Sequence, residues 1–156
     1  MKRWLILIAL VVSFPVATRA DVGFQGWGVR TGLSVDPDQL DIGAHFNLGE
    51  FVPSLRFQPN FELGFGDNVF LLMINGETFY LFDVPGSNFR PYAGGELSVV
   101  YWRADKSHGK NDDLEIGLSP VGGIEFPFSR HMMGFLELKL GIGDAPDFRV
   151  AVGIHI

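Results

Sequence analysis

The segment from Phe148 to Ile156 alternates strictly between bulky apolar side chains and small or polar ones. Successive side chains of a β-strand point to opposite faces, whereas a helix repeats every 3.6 residues, so this pattern predicts a strand with one apolar face. Seven earlier segments repeat the pattern, and their charged residues share a face with their glycines. These segments lie within residues 26–35, 39–48, 54–65, 69–82, 89–101, 114–126 and 135–142. The sequence therefore predicts eight strands.

The connections between these segments are short and rich in turn-forming residues. Asp36-Pro37-Asp38 follows the first segment, and Pro85-Gly86 lies between the fourth and the fifth. Short connections place consecutive strands side by side and antiparallel, and an even number of strands returns both ends of the chain to the same side. We therefore expect an all-β fold, an eight-stranded antiparallel up-and-down β-barrel.

The apolar face must point either into the barrel or out of it. It carries roughly 40 mostly large side chains, but the interior of an eight-stranded barrel is just wide enough to be filled by side chains. The apolar face therefore points outward to lipid, and the glycines of the polar face leave room for charged side chains inside. Outward aromatic residues gather near the two ends of the strands, as in the girdles of membrane barrels. This aromatic set is Trp27, Phe57, Phe65, Phe70, Tyr80, Phe82, Phe89, Tyr101, Phe126 and Phe148.

The N-terminal segment is typical of a cleavable signal peptide. Lys2 and Arg3 precede an apolar run that is too short to span a bilayer as a helix, and small residues lead to Ala20. We assign residues 1–20 to the signal peptide and residues 21–156 to the barrel domain, with a membrane anchor as the alternative for the first segment. Cleavage would leave nine basic and 18 acidic residues, a formal charge of −9, which argues against nucleic-acid binding.

With a periplasmic N-terminus, the longest connection, predicted over Arg103 to Asp113, faces the outside. The basic residues of this connection are candidates for contact with lipopolysaccharide phosphates, although the acidic residues between them favour a solvated loop. They are Arg103, Lys106, His108 and Lys110. The other outer connections are very short, which leaves little surface for a receptor or an adhesin.

Over the whole region 21–156 the chain resembles the small outer-membrane β-barrel family of the OmpA/OmpX type. The segment Arg90-Pro91-Tyr92-Ala93-Gly94-Gly95 is similar to the recurrent Pro-Tyr-x-Gly strand of that family, and Gly122 to Phe126 is similar to its penultimate hairpin. Its C-terminal assembly signal is matched by Phe148, Val150, Val152 and Ile154, whereas the last residue of the segment, Ile156, departs from it because the family ends on an aromatic residue. The resemblance implies a monomer in the cell outer membrane, in contact with membrane lipids and lipopolysaccharide. It also implies barrel-assembly machinery and periplasmic chaperones as partners.

The inward charges form the most distinctive set of candidate site residues. They are Arg30, Asp41, Arg56, Glu62, Glu77, Arg90, Glu96, Glu115, Glu125, Glu137, Lys139 and Arg149. Buried ions need partners, and hairpins symmetric about their turns would bring Arg56 opposite Glu77 and Arg90 near Glu125. We expect the resulting ion pairs to plug the lumen and to serve a structural or envelope-interaction role. A narrow ion or small-solute channel is the alternative.

A lipid-modifying enzyme is a third class, because some small membrane barrels hydrolyse or transfer acyl chains. Such an enzyme needs a histidine and a serine that face the lipid near the outer leaflet. The pattern instead points His45 and His155 into the lumen and places His131 in a periplasmic turn, each hydrogen-bonded or solvated. We predict no catalysis, no cofactor and no metal site, since the aspartate pairs lack the spacing of a calcium loop.

Overall fold

A computed structural model of the protein describes residues 21–66, 69–106, 109–143 and 145–156, with the backbone alone given for 104–106 and 109–112. Within these ranges the chain forms nine strands and no helix that is long and apolar enough to cross a membrane. The strands are β1 (Asp21–Val35), β2 (Gln39–Val52), β3 (Leu55–Gly66), β4 (Val69–Leu81), β5 (Arg90–Lys106), β6 (Gly109–Ser129), β7 (Met132–Leu140), β8 (Ile142–Gly143) and β9 (Phe148–His155).

The strands close into one antiparallel barrel. Each of the strands β1 to β6 pairs with the next one in sequence, and β9 pairs with both β7 and β1. The two-residue β8 pairs with β6 and continues the direction of β7 beyond Gly141. Because β7 and β8 together form one strand of the wall, the barrel has eight strands around its circumference. The predicted all-β, eight-stranded antiparallel barrel is confirmed, and the predicted signal peptide over 1–20 lies outside the described residues.

The connection predicted over Arg103 to Asp113 is wrong in its extent. Strands β5 and β6 continue through it as a paired hairpin that reaches Lys106 and Gly109. The alternation of the sequence fades there because polar residues occupy both faces, but backbone pairing does not depend on side-chain polarity. His108 lies outside the described residues, as do the side chains of Lys106 and Lys110, whereas Arg103 has an exposed side chain at the outer end of β5.

The apolar face of the barrel points outward, as the sequence predicts. Leu33 is 63% exposed, Ile74 is 60% exposed and Ile116 is 65% exposed, while their neighbours along each strand point into the lumen. In a soluble protein such exposed aliphatic surface would be unfavourable, but it matches a hydrocarbon environment. The alternation of the sequence is weakest around β4, but the side chains there also follow the prediction. Ile74, Tyr80 and Phe82 point outward, whereas Leu71, Met73 and Phe79 point into the lumen.

Glycines on the inner face make room for large lumen side chains. A β-carbon added to Gly28 would lie 2.4 Å from the His45 ring, and one added to Gly123 would lie 2.3 Å from the Tyr92 ring. A β-carbon at Gly94 would lie 2.6 Å from the β-carbon of Phe79. Such distances are far below van der Waals contact, so any larger residue would displace these rings. The glycines therefore act through the space that they leave in the lumen.

Candidate functional site

The described lumen side chains form three layers, and apolar groups predominate in the layer at the end that is predicted to face outward. Leu71, Met73 and Val100 are fully buried there, with Val69 and Trp102 packed against them. Ala145, from the last connection, lies against Gly117, where an added β-carbon would be 2.5 Å from that of Ala145.

The same end also holds buried polar side chains. Ser34 and Gln39 are at most 4% exposed, and the Gln39 amide donates to the carbonyl of Val69. Apolar packing therefore fills part of this end of the lumen.

A cluster of seven charged side chains fills the middle layer, and we call it the central charge cluster. Its members are Arg30, Glu62, Glu77, Glu96, Glu137, Lys139 and Arg149. All seven are at most 4% exposed. Burying a charge costs free energy unless the charge is paired, so the ion pairs within the cluster determine whether the cluster is stable.

The three cations of the cluster hold the four glutamates together. Arg30 binds Glu77 through both carboxylate oxygens, at 2.8 and 3.2 Å. The ammonium group of Lys139 reaches Glu96 at 2.5 Å, Glu137 at 3.3 Å and Glu62 at 3.4 Å, and it also donates to Glu77. Arg149 donates to Glu96 and lies 3.3 Å from Glu62. Every glutamate thus contacts at least two cations.

The cluster is polarised across the barrel. Its cations come from the neighbouring strands β7, β9 and β1, while Glu62, Glu77 and Glu96 come from β3, β4 and β5. Lys139 and Arg149 are direct ladder partners, and so are Glu77 and Glu96. Like charges directly opposite one another repel along a sheet. Attraction across the lumen compensates both repulsive pairs and joins the two halves of the wall. Glu137, which lies on β7 with Lys139, adds a contact of 3.3 Å on the side of the cations.

An aromatic and apolar layer lies on the other side of the cluster, at the end of the barrel that is predicted to face the periplasm. Phe79, Leu81, Tyr92 and Val121 form its core, and the rings of Phe79 and Tyr92 lie 4.6 Å apart. The Tyr92 hydroxyl donates to Glu137 at 2.9 Å and so connects this layer to the central charge cluster. The sequence places Tyr92 on the inner face, but a search for charges alone misses it as a partner of the cluster.

A separate ion pair lies in the periplasmic layer and involves Arg56. Its guanidinium group binds Glu125 at 2.5 Å and stacks over the Phe79 ring at 5.8 Å. The predicted partner, Glu77, is wrong, because the ladder pairs Arg56 with Phe79 and Glu77 with Gln58. The ladder continues without a shift up to the pair of Gly66 and Val69 and differs by two residues from the predicted register, which brings Glu77 into the central charge cluster.

Arg90 lies away from the buried charges. Arg90 is the ladder partner of Glu125, as predicted, but its side chain turns to the exposed Asp83 at 3.2 Å, because Glu125 binds Arg56 instead. Glu115 is half-buried towards the outer end of β6. The prediction that Arg90 helps to plug the lumen is therefore wrong, and Arg90 belongs to the periplasmic rim.

Two histidines lie in the lumen, in the orientation that the sequence predicts. The ring of His45 is fully buried and lies 5.5 Å from that of Phe135 and 5.8 Å from that of His155. Among the described residues neither ring nitrogen of His45 has a hydrogen-bond partner. His131 is exposed in its turn. None of these three rings faces the lipid.

Carboxylate oxygens of Glu62, Glu77 and Glu96 lie within 4.8 Å of one another, which is a spacing that a metal ion could use. The ammonium group of Lys139 hydrogen-bonds to all three of these residues. A buried lysine therefore supplies the positive charge at this point, and the cluster is an ion-pair network.

The predicted assembly segment forms the lipid-facing side of β9. Val152 is exposed, and Phe148, Val150 and Ile154 are half-buried, on the face opposite to Arg149. The last residue closes the barrel, since the backbone nitrogen of Ile156 donates to Trp27 at 2.9 Å and the Ile156 oxygen accepts from Trp27 at 3.3 Å. Ile156 thus completes the seam between the two ends of the chain.

No protein-family model and no curated protein matches the sequence. Solved structures do match the fold. Neisserial surface protein A is 14% identical with a TM-score of 0.65, and the match covers 84% of this chain and 94% of that one. The N-terminal β-barrel domain of Pseudomonas aeruginosa OprF is 12% identical with a TM-score of 0.69, covering 85% and 97%. A de novo designed transmembrane β-barrel is 14% identical with a TM-score of 0.53, covering 88% and 98%. The chain therefore has the fold of the small eight-stranded outer-membrane barrels.

Proposed function

We propose that the protein is a monomeric integral protein of the bacterial outer membrane, exported by its signal peptide, whose sealed barrel serves a structural or envelope-interaction role without catalysis. The observation that carries this proposal is the polarised central charge cluster. Its members fill the middle of the lumen and bind one another across it, between a partly apolar layer on one side and an aromatic layer with its own Arg56–Glu125 ion pair on the other. An ion would have to displace the paired charges of the cluster, which supports a closed barrel rather than an open pore.

Conductance across a planar bilayer tests the seal. Purified folded protein is expected to insert without producing single-channel steps, because the central charge cluster bars the lumen. An open porin reconstituted under the same conditions serves as the control for insertion and detection. Reproducible steps from the wild-type protein would instead assign it to the narrow channels.

Heat-modifiable migration tests whether the chain forms a stable barrel. An unboiled sample in detergent is expected to migrate differently from a boiled one on a denaturing gel, because all strands of the closed barrel unfold together. Residues Trp27 and Ile156 join the last strand to the first, so the wall has no free edge at which detergent could begin to open it. A band at one position in both samples would contradict a stable barrel.

The absence of catalysis is proposed because His45 and His155 point away from the lipid. Thr31 and Thr78 are polar side chains on the outer face of β1 and β4, and neither lies beside a lipid-facing histidine among the described residues. Purified protein incubated with phospholipid and lipopolysaccharide is expected to release no fatty acid. Release that disappears in a Thr78→Val or a Thr31→Val variant would show that the protein is an enzyme.

The partners are proposed on the same grounds. The apolar face contacts the lipids of the membrane, and the exposed Arg103 at the outer end of β5 is placed to meet a lipopolysaccharide phosphate. The outward side chains of β9 and the terminal Ile156 form the segment that barrel-assembly machinery and periplasmic chaperones would bind during biogenesis.

A further inference from the structure

Asp41 is a buried carboxyl group beside the central charge cluster that lacks an ion pair. It is 4% exposed, and no described cation lies within ion-pair distance of it. Together with the four glutamates it makes five carboxyl groups against three cations, a net charge of −2 if all are ionised. An unpaired ionised carboxylate in a buried position is strongly unfavourable, so this excess needs compensation.

The Asp41 carboxyl faces another acceptor oxygen. A β-carbon added to Gly64 would lie 2.7 Å from Oδ1 of Asp41 and 2.1 Å from Oε1 of Gln39, so both oxygens share the space above this glycine. Neither oxygen has a hydrogen-bond partner among the described residues. The Gln39 amide cannot simply be reversed, since its Nε2 donates to the Val69 carbonyl at 3.1 Å. Oδ1 of Asp41 and Oε1 of Gln39 are both hydrogen-bond acceptors, so a hydrogen-bond donor is needed between them.

The neighbouring hydroxyl group does not supply this donor. The Ser34 hydroxyl lies within hydrogen-bond reach of the Asp41 carboxyl and also 3.2 Å from the carbonyl of Pro37. A hydroxyl has one proton, so Ser34 can donate to only one of these groups at a time. Oδ1 of Asp41 and Oε1 of Gln39 have no donor among the described residues in either case.

The adjoining space favours a proton over a metal cation. A cavity of about 10 Å³ adjoins Asp41, which is room for about one water molecule. Glu62 also lines the cavity, but so do all three cations of the central charge cluster, Arg30, Lys139 and Arg149. A metal ion in this cavity would be repelled by these three positively charged side chains. A proton bound to the carboxyl needs no cavity and supplies the missing donor directly.

We propose that Asp41 is a lumenal proton-binding site, in which the neutral carboxylic acid donates a hydrogen bond to Oε1 of Gln39 at neutral pH. The proton reduces the net charge of the five carboxyl groups and three cations from −2 to −1. It also satisfies both orphan oxygens above Gly64. The inference depends on the lumen geometry and holds whether or not the barrel conducts ions.

Infrared spectroscopy of the folded protein tests the protonation directly. At pH 7 the wild-type protein is expected to show the C=O stretch of a neutral carboxyl group, and this band should shift when the aspartates are labelled with carbon-13. The band should disappear in Asp41→Asn and persist in Glu62→Gln. Absence of the band in the wild-type protein, or its persistence in Asp41→Asn, would overturn the proposal.

Stability gives a second readout with a matched control. Asp41→Asn keeps the shape and a donor towards Gln39, so its unfolding midpoint in urea should equal that of the wild-type protein. Glu62→Gln makes the same chemical change but removes a charge bound by Arg30, Lys139 and Arg149, so its midpoint should fall. Exchange of sodium for a bulky organic cation should change neither midpoint, and a loss of wild-type stability on that exchange would assign the site to a metal cation instead. If Asp41→Asn fails to fold, the isotope shift in the wild-type spectrum decides alone.

Discussion

Replacement of Lys139 with methionine is expected to lower the free energy of unfolding by about 3–5 kcal/mol, the typical cost of removing one partner from a buried ion pair. Methionine preserves most of the apolar stem, so the loss comes mainly from the charge. Lys139 reaches all four glutamates of the central charge cluster, and without it Arg30 and Arg149 alone must balance four buried carboxylates. Urea unfolding of the barrel in lipid vesicles, followed by tryptophan fluorescence and by gel migration, measures this change.

Two further variants separate charge balance from packing at Lys139. Arg90→Met breaks an ion pair at the exposed rim, where such pairs contribute at most about 1 kcal/mol, and should leave the midpoint nearly unchanged. The double variant Lys139→Met with Glu77→Gln removes one carboxylate together with the ammonium group and should recover part of the loss. Equal midpoints for Lys139→Met and Arg90→Met would show that the central charge cluster does not stabilise the barrel.

The strand order and the inward and outward faces could be predicted because they depend on local pattern. Alternation with a period of two fixes which side chains share a face, and short connections fix which strands are neighbours. The pattern remained decisive even in β4, where Asn75 and Glu77 alone indicate the inner face of an otherwise apolar strand. The fold could therefore be predicted from residue types and their spacing along the chain.

The partners within the lumen could not be predicted in the same way. An ion pair such as that of Arg56 with Glu125 joins strands β3 and β6, which are not neighbours, and depends on the stagger of every hairpin between them. A difference of two residues from the predicted register of β3 and β4 was enough to exchange the partner of Arg56. Arg149 and Glu62 likewise meet across the barrel, at 3.3 Å, although 87 residues separate them.

The sequence also concealed the neutral part of the site. Tyr92 and Phe79 are inward in the pattern, but nothing in their spacing shows that one hydrogen-bonds to Glu137 and the other supports Arg56. Ala145 lies in a connection, where alternation carries no information, and yet its side chain is buried in the outer mouth of the barrel. It occupies the space that the missing side chain of Gly117 leaves. The glycine at position 117 was the signal in the sequence that could have indicated this contact.

Ile74 provides the strongest test of which face of the barrel meets lipid. Its side chain lies halfway along β4, between the girdle residues Phe70 and Tyr80, and it is 60% exposed on the outer face. Arginine at this depth of a membrane barrel is expected to cost about 2–4 kcal/mol, because the guanidinium group leaves water for hydrocarbon. Ile74→Arg should therefore unfold at clearly lower urea concentrations in lipid vesicles than the wild-type protein does.

Leu114→Arg is the matched control, since Leu114 is 71% exposed on the same outer face but lies near the outer end of β6. At the interface an arginine keeps its contact with water and phosphate groups, so the cost should be at most about 1 kcal/mol. In a soluble barrel both exposed positions would accept arginine equally well, because each would already face water. Equal midpoints for the two variants would therefore contradict the lipid-facing assignment, whereas a loss confined to Ile74→Arg places the middle of β4 in the hydrocarbon layer.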